Sequence, residues 1–154
     1  DLRSFKLTAS NEQQIQDLVT FISYGLTEES ARLGSGERRA IVRDALETLR
    51  TTNISPSDLE RLVHGQIPQA RNLAEERKQA TRALATFRTI YGHAPNFKNT
   101  EENLAWNTLM YRLRFPRNLQ AETQGIQEFR TTFRRAPQDP FQWATVRVMG
   151  YVSQ

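Results

Sequence analysis

Apolar residues recur at helical spacing along most of the chain, and the polar residues between them supply starts and stops. Ile15, Leu18, Val19 and Ile22 share one helical face. Ser10 with Gln13 predicts a capping-box start for that helix, and Gly25 a left-handed stop. Residues 1–9 read as extended and peripheral, and residues 27–36 as a linker with one turn over 28–33. A second helix begins near Gly36 and carries Ile41, Val42, Ala45, Leu46 and Leu49 inward. Ser55-Pro56-Ser57-Asp58 joins an N-cap serine to a first-turn proline and an acid, so a short helix with Leu59, Leu62 and Val63 follows and ends at Gly65. The longest helix runs from residue 69 or 72 to residue 91, with Leu73, Ala80, Leu84, Phe87 and Tyr91 on its buried face. Gly92 ends it and Pro95 prevents its continuation. Asn99 or Thr100 caps a helix with Leu104, Trp106, Leu109, Met110 and Leu113, broken by Pro116. Asn118 caps another through Ile126, Phe129 and Phe133. Asp139-Pro140 opens the last, with Trp143, Val146 and Tyr151. No two runs are joined by a hairpin signal. The expected fold is all-α, with about seven helices arranged as tandem helix-turn-helix repeat units in one bundle-like domain.

The repeat is visible in the residues themselves. Phe87-Arg88-Thr89-Ile90-Tyr91-Gly92-His93-Ala94-Pro95 returns as Phe129-Arg130-Thr131-Thr132-Phe133-Arg134-Arg135-Ala136-Pro137. A weaker third copy begins at Leu49 and ends at Pro56. Arg71-Asn72-Leu73 answers Arg117-Asn118-Leu119, each with a glutamate four residues after its asparagine, Glu76 and Glu122. Trp106-Asn107-Thr108-Leu109 answers Trp143-Ala144-Thr145-Val146. The earlier copy carries four extra residues between its asparagine and its phenylalanine, about one helical turn, which lengthens a helix while roughly preserving its buried face. A period of about 40 residues divides the chain into an N-terminal helix and Gly-rich linker (1–36), a divergent first repeat (37–68), a second repeat (69–116) and a third (117–154). Phe87, Tyr91, Trp106, Phe129, Phe133 and Trp143 define the expected core, with the two tryptophans at equivalent places.

Composition changes this picture in two ways. The 154 residues carry no cysteine, which removes disulfides, thiolate metal sites and a cysteine nucleophile. The formal charge is +4, with 18 arginines against 3 lysines. Arginine pairs with carboxylates and phosphates and stacks on aromatics, so the excess suits interfaces as well as anions. No apolar run approaches the roughly 18–20 residues that span a bilayer. The first residues contain no apolar signal segment, which leaves a cytoplasmic protein, a mature chain or an excised fragment as expectations.

Catalytic chemistry finds little support. His64 and His93 each stand near a glycine at a helix C-terminus, where the dipole and free carbonyls suit imidazole, and no third metal ligand accompanies them. The pairs Glu28-Glu29, Glu75-Glu76 and Glu101-Glu102 lie at helix starts. Glu37 is the best single candidate for an acid–base carboxylate, without an evident partner. Leu33-Gly34-Ser35-Gly36-Glu37-Arg38 opens a helix but lacks both the Walker lysine and the dinucleotide spacing, and reads as a flexible cap. Phe97 is an apolar residue in an otherwise polar loop and a candidate contact. Arg112, Arg114, Arg117, Arg130, Arg134, Arg135 and Arg147 give the C-terminal half a basic bias, and paired helices around tight turns resemble Myb-like units. Against that, the tryptophan helices are poor recognition helices, being acidic at one start and nearly uncharged at the other.

The F-x-x-[YF]-x-x-x-P segment, the tryptophan helix after it and the closing Tyr151 resemble tandem helical repeats abundant in surface-associated proteins of small-genome candidate-phylum bacteria. Phe21-Ile22-Ser23-Tyr24-Gly25 and residues 33–38 resemble the module preceding those repeats, so the likeness covers most of residues 15–152. It implies an extracellular or cell-surface location and no catalytic residues. The expectation is a non-enzymatic structural or interaction module without cofactor, whose partner is a protein, a cell-envelope component or a second copy. The alternative is nucleic-acid binding through the helix-turn-helix units. Phe97, Arg112, Arg114, Arg117, Arg134 and Arg135 are the candidate interaction residues.

Overall fold

The computed structural model describes residues 12–49 and 54–153. The Ser10 cap, residues 1–9 and the middle of the weak copy at 49–56 lie outside the described residues. Among the described residues eight α-helices follow one another: α1 (Glu12–Tyr24), α2 (Glu28–Arg32), α3 (Ser35–Leu49), α4 (Pro56–Val63), α5 (Leu73–Tyr91), α6 (Thr100–Tyr111), α7 (Leu119–Phe133) and α8 (Pro140–Arg147). A π-helical turn, Val148–Val152, extends α8. Among the described residues there is no strand, and the chain is all-α as the periodicity requires.

Side-chain capping sets most boundaries. Ser55, Asn72, Asn99, Asn118 and Asp139 each accept a hydrogen bond from the backbone N–H three residues on, which satisfies an amide the helix leaves orphaned. Gly92 ends α5 at φ 80°, and Arg134 ends α7 in the same left-handed conformation at φ 61°. Pro95 and Pro137 both stand three residues beyond these caps. Arg112, at φ 56°, ends α6 earlier than Pro116 would, so Leu113 is a buried loop residue and not part of the helix.

The linker after α1 is held by Arg38, which is buried. Its guanidinium donates to the carbonyls of Ile22 and Ser23 at the end of α1 and of Ser30, Ala31 and Leu33 at the end of α2. One side chain thus satisfies the acceptors of two helix ends.

α1, α3 and α4 pack together, α5 lies on α6, and α7 lies on α8 and the π turn, with α6 bridging to the last pair. Leu18, Phe21, Ile41, Val42, Leu59, Phe87 and Leu109 form one fully buried core, each contributing about 1.5–3 kcal/mol of burial. Phe129, Val146 and Met149 form a smaller cluster beside it. Ile15 and Leu73, expected inward, are 36% and 58% exposed, at the margins of their helix faces.

Candidate functional site

The second and third repeat units share a polar clasp. Just before α5, Arg71 grips Glu76 of that helix through two bonds of 2.8 Å, and Tyr111 at the end of α6 donates to the same carboxylate. In the next unit, Tyr151 in the π turn donates to Glu122 at 3.3 Å and bridges to the backbone of Asn118. Arg117 is exposed and makes no such grip. The arginine fork holds Glu76 below its ordinary carboxylate range, and burial, with Glu76 adjoining, pushes Tyr111 up to about 12.

This clasp fixes the register between the units and corrects the tryptophan alignment. Tyr111 and Tyr151 are both the twelfth residue after their caps, Asn99 and Asp139. Trp106 is the seventh residue after its cap, whereas Trp143 is the fourth after its own. The counterpart of Trp106 is therefore Val146, buried against Phe129. Trp106 itself is half-buried, with its ring 6.5 Å from Phe87 and 5.8 Å from Phe97. Trp143, expected in the core, is 42% exposed. Three residues turn a helix by 300°, close enough to a full turn to mimic a repeat in sequence and far enough from it to change the face. Phe87 and Phe129 are buried and Tyr91 and Phe133 half-buried, as the repeat requires.

Trp143 stands at the wall of a cleft of about 810 Å³ between α2–α4 on one side and α8 with the 113–117 loop on the other. Two helical stripes face into it. Pro140, Trp143 and Arg147 come from α8, spaced three and four residues apart, and Glu37, Ala40 and Asp44 from α3. Phe115, stacked on Tyr151 with centroids 5.3 Å apart, completes an aromatic edge.

The cleft floor is charged. Arg114 is buried, with Nη2 donating to Asp44 Oδ2 at 2.5 Å and Nη1 lying 3.7 Å from Glu37. Arg112 is mostly buried and reaches Glu47 at 3.5 Å. Burial pushes the Arg112 guanidinium down despite Asp44 and Glu47. Arg147 donates from Nε to the Leu113 carbonyl at 2.9 Å, while its Nη2 is closed off from solvent with no acceptor. Burial, with Arg114 beside it, pushes Arg147 down to about 9, so it is still charged at neutral pH. Asp44 Oδ1 is likewise closed off with no donor within hydrogen-bond distance.

The candidate interaction residues thus separate. Arg112 and Arg114, expected at an outer contact, are interior residues tied to α3. Arg117 lines the cleft rim. Arg134 and Arg135 are exposed at the far end of α7. Phe97 is 56% exposed and laid edge-on against Trp106. Its loop is knit together, because Asn99 caps α6 and Glu102 accepts the Asn96 N–H. Removing that loop would uncap α6. Arg88 and Arg130 are exposed and form no ion pair among the described residues. They sit in the last turns of α5 and α7, where the helix dipole favours a cation, and that explains their recurrence.

His64 caps α4, and His93 bonds the Ala94 carbonyl through Nδ1. Among the described residues no three His, Cys, Asp or Glu side chains converge as a metal site. No helix among them is long and apolar enough to cross a membrane. The chain matches no known protein-family description, no curated protein and no solved structure.

Proposed function

We propose that this domain is a non-enzymatic interaction module of a cell-surface or surface-layer-like bacterial protein, and that it engages its partner at the cleft beside Trp143. The observation that carries the reading is the exposed Trp143 ring on a concave wall, next to charged groups of both signs. Tryptophan and arginine dominate binding hot spots, and a large ring left in water at a cleft gains most from being covered. The repeat architecture and the resemblance to surface-associated helical repeats support the same reading, since stacked helical arrays commonly bind through such surfaces.

The test compares two alanine variants. Trp143→Ala should change the melting temperature little, because the ring is partly solvated, and should abolish retention of the protein on isolated bacterial cell envelopes. Trp106→Ala should cost about 2–4 kcal/mol of stability. If Trp143→Ala unfolds the domain, or leaves retention intact, the cleft is not the contact.

Nucleic-acid binding is the second reading, favoured by four exposed arginines, Arg88, Arg130, Arg134 and Arg135, that form no ion pair among the described residues. Phosphate contacts through them would give a steep loss of affinity with salt. A flat salt response, or no retardation of DNA and RNA, removes it.

A further inference from the structure

We infer that the Trp143 cleft binds a neutral β-linked glycan, with the flat C–H face of one sugar ring on the indole and the hydroxyls of that ring and the next on Glu37 and Arg43. The inference rests on the reading of the cleft as the contact surface and names the chemistry it recognises.

Packing of the helix pair does not call for Trp143. It is the fourth residue after the Asp139 cap, and the fourth after the equivalent Asn99 cap is Asn103, so the preceding unit is built with an amide at that place. The indole is 42% exposed and has no ring or hydrogen-bond partner among the described residues. An apolar ring face with a free N–H at its edge matches a ligand that is apolar on one face and polar around its rim. A sugar ring with equatorial hydroxyls is such a ligand. Its axial C–H groups make the flat face, and each hydroxyl at the rim both donates and accepts.

The remaining lining fits the same ligand. As many arginines as acids line the cleft, so on balance it draws neither sign of charge. At the bottom, Asp44 and Glu37 offset the charges of Arg114 and Arg147. Higher on the α3 wall, Glu37 and Arg43 are half-exposed, and both keep their hydrogen-bonding capacity. Their nearest opposite charges, on Arg114 and Asp44, lie at 3.7 Å, outside hydrogen-bond reach. An open carboxylate and an open guanidinium form charge-assisted bonds with hydroxyls and need no charge on the ligand. Six residues of helix set the two about 9 Å apart, roughly the length of two linked sugar rings. Ala40 between them keeps that wall shallow, and the cleft volume of about 810 Å³ is in the range of small-ligand sites. A peptide backbone offers donors and acceptors in a fixed order, whereas hydroxyls take either role, which favours the glycan on a wall of mixed charge.

Cellobiose and N,N′-diacetylchitobiose are the probes, both neutral, β-linked and equatorial in their substituents. Saturation-transfer NMR with the whole domain should show saturable binding, strongest at the axial C–H protons of one ring. Chitobiose with free amines and cellobiouronic acid, the cationic and anionic matches, should bind no more tightly. Trp143→Ala should abolish the signal and Trp143→Phe only reduce it. Glu37→Ala and Arg43→Ala should each weaken binding about tenfold with the melting temperature little changed. Failure of both neutral disaccharides to bind, or tighter binding of either charged match, would overturn the assignment. On isolated envelopes, retention should fall after periodate oxidation of the glycans and survive protease treatment; the reverse pattern gives the cleft to a protein partner. Absence of disaccharide binding with retention still dependent on Trp143 sinks this inference alone. Loss of that dependence as well removes the cleft reading beneath it.

Discussion

Arg134 shows how one residue can hold a position that suits another. It occupies the left-handed cap of α7 that Gly92 occupies in α5, and its Cβ makes that conformation costly. Its side chain is exposed and makes no ion pair among the described residues, so nothing in the fold offsets the cost. Arg134→Gly should therefore raise stability by up to about 1 kcal/mol, read as an upward shift in the urea midpoint. No gain would mean that the arginine stabilises the helix end by an amount similar to its strain. Arg112 has the same backbone conformation but also reaches Glu47, which makes it a poor site for the same change. Sequence located the stop at Gly92 because glycine announces it. The stop at Arg134 was legible only through its alignment with Gly92 in the repeat, and the one at Arg112 was not legible at all, since only the folded backbone puts an arginine at positive φ.

Among the elements, the crossing of α7 with the π turn has the least room. A Cβ on Gly125 would stand 2.5 Å from the Val146 carbonyl oxygen, and one on Gly150 would run into the Ala121 carbonyl. Neither obstacle is the movable end of a side chain, so the backbones themselves would have to part. Gly150→Ala should cost about 1–3 kcal/mol through overpacking, measured by denaturant unfolding. A neutral effect would mean the π turn can shift away without disturbing the clasp at Tyr151. The two helix pairs differ here, because Ala83 of α5 stands four residues before Phe87 as Gly125 stands four before Phe129. The repeated Phe-Arg-Thr and Ala-Pro segments made the paired helices legible. They did not reveal the tight crossing, which exists only once the second helix of the unit is placed.

Across the molecule, Arg114 and Asp44 join the loop before α7 to α3, far apart in sequence and both buried. Arg114→Met removes one partner and leaves a carboxylate in the interior, a change expected to cost about 3–5 kcal/mol. The check is a double-mutant cycle with Asp44→Asn. A double variant no more stable than the sum of the single changes would show that the pair does not couple the two halves.

The amino-acid sequence by itself determined the helices, most of their caps and the twofold repetition from Arg71 onward. These depend on spacing and on contacts only a few residues apart, such as Asn72 with Glu75 and Asn118 with Ala121. It also placed Phe87 and Phe129 in the interior, because a large apolar residue in mid-face of an amphipathic helix has no better place. Tertiary structure alone decided which tryptophan is covered, because W-x-T matched in letters while the cap-to-tyrosine distance set the true register. It alone turned Arg114 and Arg147 from part of a basic bias into lining of a cleft, and Arg112 into an interior residue that reaches Glu47 of α3. The reason is that a charged side chain carries no sign in sequence of whether its acid lies beside it, seventy residues away, or outside the protein.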